Sequence, residues 1–379
     1  MEISGSTATP QNRFARHKRL TLFIILIVGA IAFDFLMGTI FLVKSKEQPE
    51  RLANAYYNHD IMPNFAGTNP SWGTKDVKPY KIYTNSLGFK DRAVRDIPLT
   101  TSKKRVLFIG DSFTEGIGVE YDQTFVGHIA KELEPRGYDI QNAGVSSYSP
   151  IIYYLKTKYL LEHGFRFDEL VVFMDISDAQ DEVDYQSWTP TTPDAWGFRW
   201  NNFSLWLDRY LGGHSVTYLH VIRTVVHGRT ERRLRALFFG DPIDDPKEAK
   251  YSLERGRWTF DDEVYDDWGA KGVALEIKHM DKLAALSREY GFKLSIAVYP
   301  WPAQIEHRDI NSRQVAIWRA FSRENGLNFY NLFPPFMATT TDPATVLRVY
   351  FFDGDVHWNE TGHALIAKNW LAQYLETTK

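Results

Sequence analysis

The chain has 379 residues, 44% of them apolar, and a formal net charge of −3, which gives room for one large α/β domain with additions rather than two full domains. A charge so close to balance excludes a dedicated nucleic-acid binder, and the basic cluster Arg229–Arg235 is too local to reverse that. Cysteine is absent, so disulfides, thiolate metal sites and cysteine nucleophiles are excluded, while the compartment is left open.

Residues 1–19 form a basic tail carrying Arg13, Arg16, Lys18 and Arg19. Leu20 to Val43 is almost wholly apolar, and 24 residues at 1.5 Å each reach about 36 Å, enough to cross a hydrocarbon core of ~30 Å. Asp34 is the single ionisable interruption; its cost of a few kcal/mol at mid-bilayer is either tolerated or relieved by a partner. Lys44, Lys46 and Arg51 after the span are mixed with Glu47 and Glu50, so the positive-inside bias predicts a cytoplasmic N-terminus. The body is then extracytoplasmic, on a periplasmic or cell-surface side. A signal peptide cut after Ala30-Ile-Ala32 fits less well than an uncleaved anchor, because the apolar run continues past that point.

Residues 44–102 read as a juxtamembrane and extended lead-in. Asn64 to Pro79 is rich in Gly, Pro, Asn and Thr and is expected as loop, whereas Tyr80 to Arg92 alternates and turns at Gly88, predicting a strand and turn beside the core. A structural role suits this segment better than a place at the rim of a site.

From residue 103 strands and helices alternate. Strands are expected at Val106–Ile109, Asp139–Asn142, Glu169–Met174, Lys293–Tyr299 and Asn328–Asn331. Helices are expected at Thr124–Glu134, Ile151–His163, Val273–Tyr290, Asn311–Asn325 and Ala364–Leu375. This rhythm predicts an α/β three-layer sandwich with a mainly parallel sheet over 103–379, preceded by one transmembrane helix. An insertion at about 184–270 interrupts it. Trp188, Trp196, Trp200, Phe203, Trp206, Tyr210, Phe238, Phe239, Trp258, Tyr265 and Trp268 lie there. Such rings either stack on sugars and line lids, or pack an accessory subdomain.

Two short stretches carry the chemistry. Val106 to Ile109 breaks at Gly110 and delivers Asp111 and Ser112 where α/β folds place ligands, with a helix expected from Phe113 onward. Unpaired N–H groups at such a helix start stabilise an oxyanion; an ordinary βα turn with Ser112 as N-cap fits the same residues. In Phe351–His363, His357 lies in a polar loop before the closing helix with Asp353 and Asp355 beside it, suited to serving a serine as base and base-orienting carboxylate. Ser177 and Gln180 fit a capping box. Trp301, in Tyr299-Pro-Trp-Pro302, is expected at the mouth of the site as a substrate-binding side chain. No metal-ligand spacing stands out among the acidic residues, and no metal or cofactor is expected.

Gly110-Asp111-Ser112 early and Asp355-Val356-His357 with Gly362 late, with Asn142–Ser149 between them as a second block, resemble the SGNH (GDSL-type) hydrolase superfamily over roughly Lys103 to Leu375. The resemblance implies an SGNH/flavodoxin-like fold and a Ser112–His357–Asp355 triad, with Asp353 in reserve. The usual acid position, three before the histidine, is Gly354 here, and the Asp-x-His spacing resembles the alginate O-acetyltransferase-like branch. The resemblance further implies oxyanion contacts from Ser112, from Ser147 or Gly144, and from the third-block position, where Asp178 stands in place of an asparagine. The expected function is a membrane-anchored serine esterase acting on O-acyl groups of an envelope or secreted polysaccharide, with an acyl-modified glycan or other ester as partner. A polysaccharide O-acyltransferase and a non-catalytic polysaccharide-binding protein of the same fold are the alternatives.

Overall fold

A computed structural model describes residues 17–42, 51–69, 77–195, 198–199, 203, 207, 210–211, 214–218, 253–337 and 342–377. The chain forms two compact units, one from residues 1–46 and 200–244, the other from 47–199 and 245–379. Trp196, Trp200, Trp206, Phe238 and Phe239 of the aromatic insertion lie outside the described residues.

In the first unit, helix α1 (Lys18–Leu42) contains a stretch, Lys18–Ile40, with mean hydropathy 2.6, long and apolar enough to cross a membrane. Its one acid has found a partner. Asp34 accepts from the hydroxyl of Ser215 and, at 2.8 and 2.9 Å, from the backbone N–H and hydroxyl of Thr217. Gly38 makes that approach sterically possible, since a Cβ there would lie 2.0 Å from the carbonyl oxygen of His214.

The second unit is built on an eight-stranded sheet. Its strands are β3 (Ala66–Asn69), β4 (Tyr80–Thr84), β5 (Lys90–Asp91), β6 (Lys104–Ile109), β7 (Tyr138–Asn142), β8 (Glu169–Met174), β9 (Lys293–Val298) and β10 (Asn328–Asn331), in spatial order β10-β9-β8-β6-β7-β5-β4-β3. The five from β6 to β10 are parallel, and β5, β4 and β3 extend the sheet antiparallel beyond β7. A separate hairpin, β1 (Arg51–Asn54) with β2 (Asn58–Ile61), turns at Asn58, whose φ is 74°. The expected loop at 64–79 is therefore incomplete as a description: its residues Ala66–Asn69 pair with β4. Four small residues, Ala-Gly-Thr-Asn, carry no periodicity by which to recognise an edge strand.

Strand β6 is buried on both faces, and its alternate residues enter different cores. Val106 and Phe108 pack with α2 (Phe125–Leu133) and α9 (Glu360–Thr377), while Leu107 and Ile109 pack with α3 (Pro150–Glu162), α5 (Ala270–Tyr290) and α7 (Arg313–Asn325). Helices on both sides of a parallel sheet explain why the strand reads as a continuous apolar run. This is the three-layer α/β sandwich; among the described residues, α1 of the first unit is the one candidate membrane helix. In chain order the five parallel strands stand 2-1-3-4-5, the flavodoxin-like arrangement, so the connections leaving β6 and β8 diverge and open a crevice at their carboxyl ends.

Candidate active site

Ser112 sits in that crevice. Gly110 must lack a side chain: a Cβ would fall 2.2 Å from Thr114 Oγ1 and 3.0 Å from the carbonyl oxygen of Phe173. The following helix is a single turn, Ser112–Glu115, closed by Gly116 at φ 74°, so it contributes little macrodipole. Its N-cap is Asp111, which accepts from the Phe113 N–H at 2.9 Å, and not Ser112. The Ser112 hydroxyl is thereby left to other partners, namely His357 Nε2 at 2.8 Å and Asp111 Oδ2 at 3.1 Å.

His357 is delivered by a tight loop in which Phe351 pairs with Trp358 and Gly354 turns the backbone at φ 68°. Asp355 Oδ1 accepts from the His357 backbone N–H at 3.0 Å and lies 2.6 Å from Nδ1. This network assigns the ring proton to Nδ1, so that Nε2 accepts from Ser112. Burial pushes the Asp355 carboxyl up, but the side-chain hydrogen bond and charge of His357 outweigh it and hold Asp355 below the usual range. The Phe113 ring, 4.9 Å from the imidazole and 4.7 Å from the Trp358 ring, packs the loop against the strand. Asp353 is exposed and takes no part.

The remaining expected contacts divide. Ser147 lines the same small cleft as Ser112, of about 40 Å³, and has a left-handed backbone, φ 63°. Among the described residues no group accepts from the backbone N–H of Ser112 or of Ser147. Gly144 is excluded as a donor, because its N–H goes to Asn142 Oδ1 at 3.1 Å; its glycine identity is a packing requirement, a Cβ there falling 2.6 Å from Thr114. Asp178 is excluded too. It is fully buried, accepts from the Tyr153 hydroxyl at 3.0 Å and from the Asp175 N–H at 3.1 Å, and does not line the cleft. Burial, followed by the nearby charges of Asp175 and Asp111, raises its carboxyl well above the usual range. The side chain that does reach the cleft is Ser177. Its hydroxyl goes to Asp175 Oδ1 at 2.5 Å rather than to the helix Asp178–Tyr185, so the capping box is not formed.

Behind Ser112 lies a polar network with no local signature in the sequence. The Tyr299 hydroxyl lies 2.8 Å from Asp175 Oδ2 and 3.2 Å from Asp111 Oδ1, and Trp301 Nε1 donates to Asp175 Oδ2 at 2.7 Å. Trp301 is thus a buried wall of the cleft and not an open platform at its mouth. Asp175 also accepts from the Ser177 N–H at 2.7 Å. Asp111, with fewer donors, is raised well above its ordinary value by burial and then by the charge of Asp175. Arg255 and Asp181, paired at 2.9 Å, also line the cleft. Asp111, Asp175 and Tyr299 follow the carboxyl ends of β6, β8 and β9, which meet in space, and Arg255 joins them from the helical segment Leu253–Thr259.

No protein-family model and no curated protein matches the chain. Solved structures do. The acetyl xylan esterase AlAXEase is 14% identical, with 71% of this chain and 98% of that one covered and a TM-score of 0.39. A lipolytic protein of the G-D-S-L family from Veillonella parvula is 12% identical, with 71% and 96% covered and a TM-score of 0.37. The acetylxylan esterase Axe2 from Geobacillus stearothermophilus is 13% identical, with 73% and 96% covered and a TM-score of 0.38. The chain is similar to these proteins, and the reading of its site rests on its own geometry.

Proposed function

We propose that this chain is an SGNH-type serine esterase. The observation that carries the reading is the unbroken line Ser112 Oγ–His357 Nε2 at 2.8 Å and His357 Nδ1–Asp355 Oδ1 at 2.6 Å, opening on a cleft at the crevice of a parallel sheet. In this reading Ser112 attacks the ester carbonyl while His357 takes its proton, and Asp355 holds the imidazolium that forms. The N–H groups of Ser112 and Ser147 receive the oxyanion of the tetrahedral intermediate. His357 then returns the proton to the leaving alcohol, and water resolves the acyl-enzyme with the same base. With Trp301 and Val356 buried in the wall of the cleft, a small acyl group such as acetyl is the one proposed.

The apolar length of α1, with basic residues before it, supports a membrane anchor and an extracytoplasmic body. An O-acetylated polysaccharide is the substrate class proposed with it. Purified protein should release acetate from an activated acetyl ester faster than butyrate or longer acids from their esters, and Ser112→Ala should abolish the release. Unchanged release by Ser112→Ala would refute the assignment. Accumulation of acetyl-glycan instead of acetate in the presence of a glycan acceptor would reassign the chemistry to transfer.

A further inference from the structure

The strained element of the site is the peptide joining Ser146 to Ser147. Ser147 lies at φ 63°, a region that favours glycine, in the loop whose N–H is proposed to receive the oxyanion. Such a conformation persists when its surroundings over-determine it, and here three groups do so. Glu115 accepts from the Ser146 N–H at 2.7 Å and from its hydroxyl at 2.9 Å. The Tyr185 hydroxyl donates to the carbonyl oxygen of Ser147 at 2.9 Å. His59, on β2 of the lead-in hairpin, places Nε2 at 2.9 Å from the carbonyl oxygen of Ser146.

The last contact has a directional consequence. In a trans peptide the C=O and the following N–H lie in one plane and point opposite ways. Whatever fixes the Ser146 carbonyl therefore aims the Ser147 N–H. Since Nε2 faces a carbonyl, it carries a proton and donates; Nδ1 lies 2.8 Å from the side-chain amide of Asn58, and with the amide NH2 turned toward Nδ1 the ring is a neutral donor to Ser146. Its position is in turn secured. The Tyr148 hydroxyl donates to the His59 carbonyl at 2.7 Å, Lys156 Nζ pairs with Asp60 at 2.9 Å, and Arg51 of β1 pairs with Glu115 at 3.0 Å. Both strands of the hairpin thus bear on the loop.

We infer that His59, supported by Glu115 and Tyr185, is a positioning residue that aims the Ser147 N–H at the developing oxyanion, so that the lead-in hairpin is part of the catalytic apparatus. This rests on the proposed esterase reading. The experiment compares His59→Ala, His59→Gln and Tyr185→Phe in the full chain with an acetyl ester. His59→Ala should lower kcat about 10- to 100-fold, less than the loss of a whole oxyanion donor, with KM within about twofold. His59→Gln, which retains an N–H donor, should recover most of that loss. Affinity for a small alkylboronic acid, whose Ser112 adduct bears the oxyanion, should fall in parallel with kcat. Folded His59→Ala with kcat within twofold of wild type would overturn the inference, as would equal loss in the alanine and glutamine variants. Should His59→Ala not fold, Tyr185→Phe decides: an approximately threefold or greater kcat loss supports the inference and an unchanged kcat refutes it. An active wild type silenced by Ser112→Ala keeps the esterase reading intact whatever His59 does; an inactive wild type removes both.

Discussion

The Ser112 hydroxyl and His357 Nε2 stand 2.8 Å apart although 245 residues separate them in the chain. The contact requires the carboxyl end of β6 and the loop before the closing helix to meet, and the shared core of α2, α9 and β6 makes them meet. If this pair performs acyl transfer, removing either member should cost nearly all of the chemistry. Ser112→Ala and His357→Ala should each lower kcat about 10⁴- to 10⁶-fold, and the double variant should lose little more, because the two act as one unit. Asp355→Asn should cost about 10³- to 10⁴-fold by favouring the wrong tautomer, whereas Asp353→Asn should be silent. Steady-state kinetics on an acetyl ester measure all five variants, and additive losses in the double variant would contradict the shared unit.

Ser147 offers a test that separates strain from chemistry. The oxyanion donor proposed there is a backbone group, so the side chain is dispensable, while φ 63° favours glycine. Ser147→Gly should retain activity within a few-fold and gain up to about 1 kcal/mol in urea unfolding. Ser147→Val, β-branched at a positive φ, should lose both stability and kcat. A Ser147→Val variant that matched wild type would show that the loop does not need this conformation.

Asp178 should tolerate neutralisation. Its carboxyl is raised well above the ordinary range by burial, then by the charges of Asp175 and Asp111, so its surroundings favour the neutral form. Asparagine can accept from the Asp175 N–H with its oxygen and donate to the Tyr153 hydroxyl, which lies 3.3 Å from the Tyr148 carbonyl. Asp178→Asn should therefore keep kcat within about threefold. A loss of two orders of magnitude or more would return Asp178 to the reacting centre.

How much of this the sequence discloses depends on how local each relationship is. The nucleophile and base could be located because Ser112 follows a buried strand directly and His357 takes its carboxylate from two residues away. β8 and β10 are legible to the residue, since Leu170–Met174 and Phe329-Tyr330 are apolar or aromatic runs bounded by polar residues. At the expected third block it is Ser177 and not Asp178 that lines the cleft, since at the start of a helix adjacent residues point about 100° apart. The Asp111–Tyr299–Asp175 network spans 188 and 124 residues and has no local pattern. His59 was hidden for another reason. The hairpin carrying it has two four-residue strands of mixed polarity, too short to show a period, and the significance of His59 appears only through the carbonyl that it meets.

His59 also makes the protein's stability depend on pH in a definite direction. Burial lowers its imidazole from the ordinary 6.5 to about 4, the Ser146 contact raising it only in part and Arg51 opposing protonation. The unfolded chain therefore takes up this proton at higher pH than the folded one does. Above pH 6.5 neither form is protonated and the contribution to stability is intact. Between 6.5 and about 4 the unfolded state is progressively favoured, and below 4 the loss is complete. Denaturant unfolding of wild type and His59→Gln across this window should show the wild type losing stability more steeply as pH falls, with the two slopes converging above 6.5. A proton resonance of His59 titrating near 6.5 in the folded protein, or equal slopes for the two proteins, would mean that burial does not hold this imidazole neutral.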